Sequence, residues 1–411
     1  MGKNNKKPYR RCTGMAMLLG ACLLLGGCMG TGKSGQGFAS ASSAAKDKDS
    51  QQEEFVDVHS NDGRNVVGIS MPSKMLERWN RDGHFLKRQF KDRGYEVELA
   101  FGDDLIDKQI RDIESMIKNH ADIILISAID GSSLSHVLEK AASANVKVIC
   151  YDRLILKTDV VDYYISFDNY KVGQLQGEYV VKALDLPHAG GKSYRMEITS
   201  GDSADNNARY YYNGMFDQIK PYLKKGVLKI PSGQSDYFET AISSWSSELA
   251  EIRFSGLLNS YYLNGKRLDC AVCANDSTAF GVAEAIAADY DGDNPVIVTG
   301  QDGDEANLKN IMDGRQSMTV FKALSNETLV AYEVGCALME GRMPDASLIE
   351  QSGWKFRCRY DTESYDNGVK KVTSFLLEPT VITKDNMMKE LVDKGYYRVG
   401  EDGYLKAVTG S

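Results

Sequence analysis

Polar and charged side chains follow a series of short apolar runs in this sequence, and their types suit hydrogen bonding to a small polyhydroxylated molecule. A hydroxyl group donates one hydrogen bond and accepts others, so carboxylate acceptors beside Arg, Lys and Asn donors can satisfy several hydroxyls at once. Planar bidentate groups fit vicinal hydroxyls. The segments concerned are residues 71–79, Asp130-Gly131, Tyr151-Asp152-Arg153, Phe167-Asp168-Asn169, residues 202–207, Asn275-Asp276 and Gln301-Asp302.

Each of these positions has a second interpretation, because an Asp or Asn after a strand commonly caps the next helix. Asp276 is expected to be such a cap. Their recurrence after nearly every apolar run, with Arg78 and Arg153 among them, favours a shared binding site.

Trp79 and Trp245 offer a surface for the apolar side of such a ligand. The C–H faces of a pyranose ring are apolar and slightly positive, and an aromatic ring covers them favourably. The sequence contains three Trp. Because a lone Trp is often a core residue, stacking and packing both remain open.

The elements that must position these residues alternate between strand and helix, which is the βαβ signature. Nearly continuous apolar strands indicate a parallel sheet covered on both faces. The pattern restarts in the second half of the chain, so we expect an α/β fold of two doubly wound parallel-sheet lobes, with the ligand at the carboxyl ends of the strands. The β-rich runs are residues 66–70, 95–99, 123–126, 146–149, 162–166, 194–198, 268–274 and 296–300.

The N-terminus is typical of a lipoprotein signal peptide. Basic residues precede an apolar run, residues 15–25, that is too short to span a bilayer. The run ends in Leu25-Gly26-Gly27-Cys28, the small residues and cysteine that lipoprotein signal peptidase requires. We expect residues 1–27 to be removed and Cys28 to be the lipidated N-terminus, with Leu19-Gly20-Ala21-Cys22 as the alternative.

Residues 28–63 are predicted to be a flexible tether, because up to about Glu54 they contain hardly any large apolar residue. The globular part is then about 350 residues long, which favours two domains. The expected location is extracytoplasmic, with the membrane reached through the lipid anchor only.

Composition excludes several other classes. The formal net charge of −8 and the lack of a long basic cluster argue against nucleic acid as a partner. Cys270 and Cys273 have metal-type spacing, but two intervening residues in a strand place their side chains on opposite faces, so neither a metal nor a cofactor is expected. Cys336 and Cys358 could form a disulfide, which sequence alone cannot pair.

From residue 66 to the C-terminus the chain resembles the xylose-binding and multiple-sugar-binding receptors among the type I periplasmic binding proteins, a group of ABC transporter substrate-binding lipoproteins. The segment from 352 to 365 departs from that pattern. The matching stretches are Glu77-Arg78-Trp79, residues 109–116, Tyr151-Asp152-Arg153, residues 164–169, Asp205-Asn206-Asn207-Ala208, Lys220-Pro221-Tyr222, Asn275-Asp276, Gly300-Gln301-Asp302 and Val320-Phe321-Lys322.

The resemblance implies a site that closes around one monosaccharide. Hydrogen bonds to the sugar are then expected from Arg78, Asp152, Arg153, Asn207, Asn275, Asp302 and Lys322, and stacking from Trp79 and Trp245. It also implies three strand crossings between the lobes. The N-terminal lobe then comprises residues 64–167 and 322–376, and the C-terminal lobe residues 168–321 and 377–411.

The expected function is delivery of an aldopyranose, such as xylose, glucose, galactose or arabinose, to the permease subunits of an ABC transporter by a monomeric receptor. The alternative is a sugar sensor that presents the closed complex to a membrane histidine kinase or chemoreceptor. A glycosidase is disfavoured, because each Asp of the motifs has a cationic or amide neighbour that keeps it an ionised acceptor rather than a general acid. A sugar-responsive repressor is disfavoured because the export signal stands where a DNA-binding domain would be.

Overall fold

The structure, a computed structural model, describes residues 65–408. The predicted signal peptide, the lipidated Cys28 and the tether up to residue 63 lie outside these residues. Within them, no helix combines the length and apolar character needed to cross a membrane.

Strands and helices alternate as the sequence predicts. In chain order the strands are β1 (Val66–Met71), β2 (Glu96–Phe101), β3 (Ile123–Ile126), β4 (Lys147–Tyr151), β5 (Tyr163–Phe167), β6 (Tyr194–Thr199), β7 (Leu228–Lys229), β8 (Cys270–Cys273), β9 (Ile297–Val298), β10 (Gln301–Asp302), β11 (Thr319–Phe321), β12 (Cys358–Asp361), β13 (Ser374–Leu377), β14 (Thr380–Ile382), β15 (Tyr397–Val399) and β16 (Leu405–Ala407). The α-helices are α1 (Glu77–Asp92), α2 (Ile106–Lys118), α3 (Ser135–Ser143), α4 (Asn169–Ala183), α5 (Asn206–Lys224), α6 (Tyr237–Thr240), α7 (Ser247–Tyr261), α8 (Asp276–Asp289), α9 (Glu305–Asp313), α10 (Leu324–Met339) and α11 (Ala346–Ser352).

The N-terminal lobe is built on a seven-stranded sheet with the order β12-β13-β5-β4-β3-β1-β2. All its neighbouring strands are parallel except β12, which runs antiparallel to β13. Helices α2 and α3 cover one face and α1 and α10 the other, so both faces are apolar. This double cover explains why β1, β3 and β5 are buried throughout.

The C-terminal lobe contains a parallel sheet in the order β7-β6-β8-β9 and a three-stranded sheet in the order β10-β11-β14. Helices α4 and α5 cover one face of the first of these sheets, and α7 and α8 the other. Cys270 packs with the α4–α5 side and Cys273 with the α7–α8 side, which confirms that they lie on opposite faces of β8. Cys336 and Cys358 are free thiols in the described chain.

The chain passes between the sheets of the two lobes three times. It leaves the first sheet after β5, returns after β11 into α10, which packs on the first sheet, and leaves again between β13 and β14. On these memberships we propose the lobe boundaries given above. The C-terminal residues pack on the second lobe, where Leu391 and Leu405 join the core beside Phe321.

Segment 352–365 forms β12, an additional antiparallel strand at the edge of the first sheet. The ring of Trp354 stacks on Phe356 at 5.3 Å, and its Nε1 donates a hydrogen bond to Glu333. Arg359 of β12 forms an ion pair of 3.0 Å with Asp168, the residue at the first crossing. Strand β12 is therefore linked by an ion pair to the first crossing between the lobes.

Helices α4 and α5 lie unusually close, because glycines occupy their contact. A Cβ atom at Gly173 would lie 1.9 Å from the backbone oxygen of Tyr211, and one at Gly214 would lie 2.1 Å from that of Tyr170. Only hydrogen fits at these two positions. The close contact fixes the direction in which α5 approaches the other lobe.

Candidate functional site

The predicted site residues from the first lobe gather at the carboxyl end of β4. Asp152 follows that strand with φ of +60°, a left-handed conformation that is unusual for a residue other than glycine. Its backbone oxygen accepts hydrogen bonds from Tyr164 Oη (3.0 Å), Ser166 Oγ (3.1 Å) and Asn207 Nδ2 (2.6 Å). These bonds hold the strained turn and aim the Asp152 side chain.

Arg78 reaches Asp152 from the first turn of α1. Its Nη2 lies 3.0 Å from Asp152 Oδ1 and 3.7 Å from Glu327 Oε2. Burial alone raises the pKa of Asp152, but the charges of Arg78, Lys322 and Arg153 outweigh it and hold that pKa below its usual value. Asp152 is therefore an ionised acceptor.

Trp79 is 2% exposed and lies in the apolar cluster between α1 and the first sheet. The guanidinium carbons of Arg78 and Arg153 lie 4.1 Å and 5.2 Å from its ring centre. The guanidinium groups of Arg78 and Arg153 thus both pack against the Trp79 ring. Its stacking on a sugar remains a proposal.

The two lobes touch directly at this site, an arrangement we call closed. Arg153 Nε lies 3.2 Å from Asp205 Oδ2 of the second lobe, while its Nη1 donates to the backbone oxygen of Ala128. Asn207, in the first turn of α5, donates to Asp152 and accepts from Tyr164. The Asn207 amide therefore joins the lobes in this arrangement.

An ion pair beside an aromatic ring lies where the chain crosses back to the first lobe after β11. Lys322 is 2% exposed, and its Nζ lies 2.9 Å from Asp302 Oδ1 and 5.8 Å from the ring centre of Tyr211. Burial alone would lower the pKa of Lys322, but Asp302 and its other anionic neighbours raise it well above the usual value. Asp302 has φ of +105°, so its backbone is strained as well.

Trp245 packs edge-on to Tyr211, with ring centres 6.3 Å apart. Its ring also lies against the backbone of Gly201, where a Cβ atom would be 2.0 Å from Trp245 Cη2. Trp245 is half-buried. Tyr211 thus links the Trp245 ring to the Lys322–Asp302 pair.

Asn275, and not Asp276, is the cap of α8. The side-chain oxygen of Asn275 accepts from Thr278 N (3.0 Å) and caps α8. Asp276 is not the cap and is fully buried, because its carboxylate accepts from Gly303 N, Asp304 N and Gln316 Nε2. Asp276 therefore holds the loop that follows Asp302.

Polar atoms from both lobes are buried here without hydrogen-bond partners in the described chain. Arg78 Nη2, Asp152 Oδ1, Arg153 Nε and Asp302 Oδ1 each lie within 3.2 Å of an opposite charge in the ion pairs above. Buried polar atoms without a hydrogen bond are uncommon in folded proteins. Those belonging to the predicted site are Arg78 Nε and Nη2, Trp79 Nε1, Asp152 Oδ1, Arg153 Nε and Asp302 Oδ1.

A groove of about 930 Å³ at the amino end of β6 is a different kind of surface. It is lined by Arg195, Lys220, Lys224, Lys229 and Lys266 beside apolar side chains. Its four lysines are exposed, so water solvates them. The predicted site residues lie at the opposite, carboxyl end of the strands.

Two residues of this cluster are absent from the sequence-predicted set. Asp205 stands in the stretch Asp205-Asn206-Asn207-Ala208 after a strand, so its position was a usable signal. Glu327 lies in the first turn of α10, where an acidic residue is ordinary. No pattern in the sequence distinguishes Glu327 from a surface residue.

Comparison with known proteins agrees with this fold. The sequence model of the periplasmic binding protein domain matches residues 67–343. The multiple sugar-binding periplasmic receptor ChvE of Rhizobium radiobacter is 37% identical over 341 residues, which is 82% of this chain and 92% of that receptor.

Two solved structures are also similar. An ABC transporter solute binding protein from Clostridium phytofermentans with bound β-D-glucose has 42% identity and a TM-score of 0.75, covering 82% of this chain and 99% of its own. A carbohydrate transporter solute binding protein from Chloroflexus aurantiacus in complex with D-glucose has 30% identity and a TM-score of 0.69, covering 81% and 97%.

Two α/β lobes in contact over a polar cluster define a solute-binding protein of the type I fold, which binds its ligand and is not an enzyme. The chain belongs to the periplasmic binding protein family.

Proposed function

We propose that this protein binds one monosaccharide between its lobes and delivers it to an ABC transporter. The observation that carries the proposal is a set of buried charged groups from both lobes, in Arg78, Asp152, Arg153 and Asp302, which form ion pairs but include atoms without a hydrogen bond in the described chain. Sugar hydroxyls can both donate to and accept from such groups. An apolar ligand could do neither.

The roles we propose follow the geometry. Asp152 and Asp302 accept from sugar hydroxyls, while Arg78, Arg153 and Lys322 donate to sugar oxygens. Asn207 and Asn275 contribute their amide groups, although each already makes protein hydrogen bonds. We propose that Trp79 and Trp245 cover the ring.

We propose an aldopyranose as the ligand, with D-glucose first among xylose, glucose, galactose and arabinose, because the two solved structures reported above hold glucose. Isothermal titration calorimetry of the chain from residue 65 onward against these sugars tests this. We expect one site per chain with micromolar or tighter affinity for at least one of them. If none binds, the proposal is wrong.

We also propose that Cys28 anchors the protein to the outer side of the cytoplasmic membrane or to the cell surface. Cys28→Ser should then release the protein into the soluble fraction with unchanged sugar affinity, since the tether separates anchor from site. Membrane fractionation with Cys22→Ser as the matched control is the measurement. If Cys22→Ser releases the protein instead, Cys22 is the lipidated residue.

A further inference from the structure

Glu327 is a buried acid that is not among the proposed sugar-binding residues. It is 0% exposed, and neither of its carboxyl oxygens has a hydrogen-bond partner in the described chain. Its ion-pair partner is Arg78, at 3.7 Å from Nη2 to Oε2. An ionised carboxylate without hydrogen bonds is among the most expensive groups to bury, so this position needs an explanation.

The other charged groups of the cluster form ion pairs with one another. Lys322 lies 2.9 Å from Asp302, Arg153 lies 3.2 Å from Asp205, and Arg81 lies 3.6 Å from Asp82. Asp82 also accepts a hydrogen bond of 2.9 Å from Tyr151 Oη. The charged and titratable groups that act on Glu327 are Arg78 and Asp82 of α1, Tyr151 and Asp152 at the end of β4, and Lys322.

Arg78 is the remaining cation, and Asp152 lies closer to it than Glu327 does, at 3.0 Å. Glu327 therefore shares its ion-pair partner in the described chain with Asp152, which lies closer to that partner. Burial and the neighbouring Asp152 charge both raise the pKa of Glu327 well above its ordinary value, and Arg78 and Lys322 only partly oppose them. The start of α10 favours a negative charge, but neither oxygen of Glu327 accepts a hydrogen bond from its backbone, so this effect does not reverse the shift.

We propose that Glu327 is a positioning residue of the sugar site: in the closed protein it is a neutral carboxylic acid that confines Arg78 together with Asp152, and sugar binding takes up the proton it carries. The proposal rests on the proposed function and extends it. Opening of the lobes admits water to this cluster and favours the ionised form of Glu327. Closure around a sugar then requires the proton again.

The sign of the pH dependence follows from linkage. A group whose pKa is higher in the closed state favours closure below its open-state pKa, and this contribution is lost as pH rises through the closed-state pKa. Between the two pKa values the affinity falls by up to about tenfold per pH unit. We expect the dissociation constant for D-glucose, or for the sugar found by the panel, to rise at least about tenfold from pH 5.5 to pH 8.0.

Glu327→Gln separates positioning from titration, because an amide has the shape of the neutral acid and cannot lose a proton. We expect Glu327→Gln to bind within about threefold of wild type at pH 5.5 and to have a flat pH profile. Glu327→Ala should bind more weakly than wild type at every pH, since Arg78 loses one of its neighbours. Calorimetry in buffers of different ionisation enthalpy should give close to one proton taken up by wild type at pH 7 and none by Glu327→Gln.

Asp304 is the competing source of a pH effect, because desolvation and the Asp302 charge raise its pKa to about 7. Asp304 nevertheless reaches solvent in the closed protein, which Glu327 does not, so we expect opening of the lobes to change its surroundings less. Asp304→Asn should therefore keep the wild-type profile. If Asp304→Asn flattens the profile, or Glu327→Gln leaves it unchanged, Glu327 does not carry the proton and the proposal fails.

Thermal unfolding of each variant without sugar is the control for folding. If Glu327 had a purely structural role, its substitution would lower the melting temperature without changing the pH dependence of sugar affinity. If Glu327→Ala does not fold, the Glu327→Gln slope alone decides. Wild-type binding that is independent of pH would overturn the role of Glu327 and leave the proposed function intact. Absence of any sugar binding by wild type would overturn both.

Discussion

At the residue scale, two aspartates of the site hold backbone conformations that glycine would adopt more easily. Asp152 and Asp302 have φ of +60° and +105°. Each such conformation costs on the order of 1–3 kcal/mol relative to an ordinary one. Both side chains lie in the polar cluster between the lobes, so the strain falls on the two carboxylates that we propose accept hydrogen bonds from the sugar.

Removing one polar partner of the site should weaken sugar binding strongly. We expect Asp302→Ala and Arg153→Ala each to cost about 2–4 kcal/mol of binding free energy, because the sugar hydroxyl and the opposite lobe are left with unpaired groups. Calorimetry with the bound sugar measures this loss.

Asp345→Ala is the matched control for those two variants. Asp345 caps α11 through a 2.8 Å hydrogen bond from Ser347 N, away from the cluster. Its loss should lower stability by about 1 kcal/mol and leave sugar affinity unchanged. Equal losses of affinity in all three variants would indicate general damage to the fold and contradict a defined site.

The sequence predicted residue types better than residue partners. Strand-end position was enough to select Asp152, Arg153 and Asp302, because parallel strands bring their carboxyl ends together. It could not tell Asn275, which caps α8, from Asp276, which is buried under the loop at Gly303. That difference depends on a contact between segments 27 residues apart, which no local pattern encodes.

At the element scale, the contact between α4 and α5 depends on the absence of side chains. Gly214→Ala would place a methyl group about 2 Å from the backbone of α4, so the helices must separate. We expect a loss of about 1–3 kcal/mol in the free energy of unfolding. Sugar affinity should fall too, because α5 carries Asn207 at its first turn.

Gly256→Ala is the control for the helical glycine itself. Gly256 lies in α7, and no atom is within 4 Å of the Cβ position. Alanine there should stabilise the protein by about 0.5–1 kcal/mol through helix propensity alone. Urea denaturation of both variants is the measurement, and a stable Gly214→Ala would contradict close packing of the two helices.

Hydrophobic periodicity predicted the long strands and helices. It missed strands whose conformation depends on pairing with a neighbouring strand. Strands β1, β3 and β4 coincide with the apolar runs, because both of their faces are buried. Strand β12 alternates between partly buried and exposed residues at a sheet edge, so its composition resembles a loop. Its identity as a strand comes from pairing with β13.

At the scale of the whole molecule, we propose that closure is the event that a partner detects. The contacts from Arg153 to Asp205 and from Asn207 to Asp152 exist only when the lobes meet. A ligand that binds both lobes shifts the population toward this arrangement.

Small-angle X-ray scattering should therefore give a smaller radius of gyration when saturating sugar is added to the wild-type protein. Asp302→Ala should remain expanded at the same sugar concentration, provided that it lies well below the dissociation constant of the variant. A wild-type protein that binds sugar without compaction would contradict closure as the mechanism, even though binding survives.

The position of β13 in the first sheet also sets the order in which the chain can fold during synthesis. Strand β5 ends at Phe167, and its neighbour β13 begins only at Ser374. A ribosome that adds about 5–20 residues per second needs roughly 10–40 s to make the segment between them. Throughout that time β5 is an unpaired sheet edge, the kind of surface on which nascent chains aggregate. Slower translation of residues 168–373 therefore prolongs the vulnerable period without changing any contact of the finished protein.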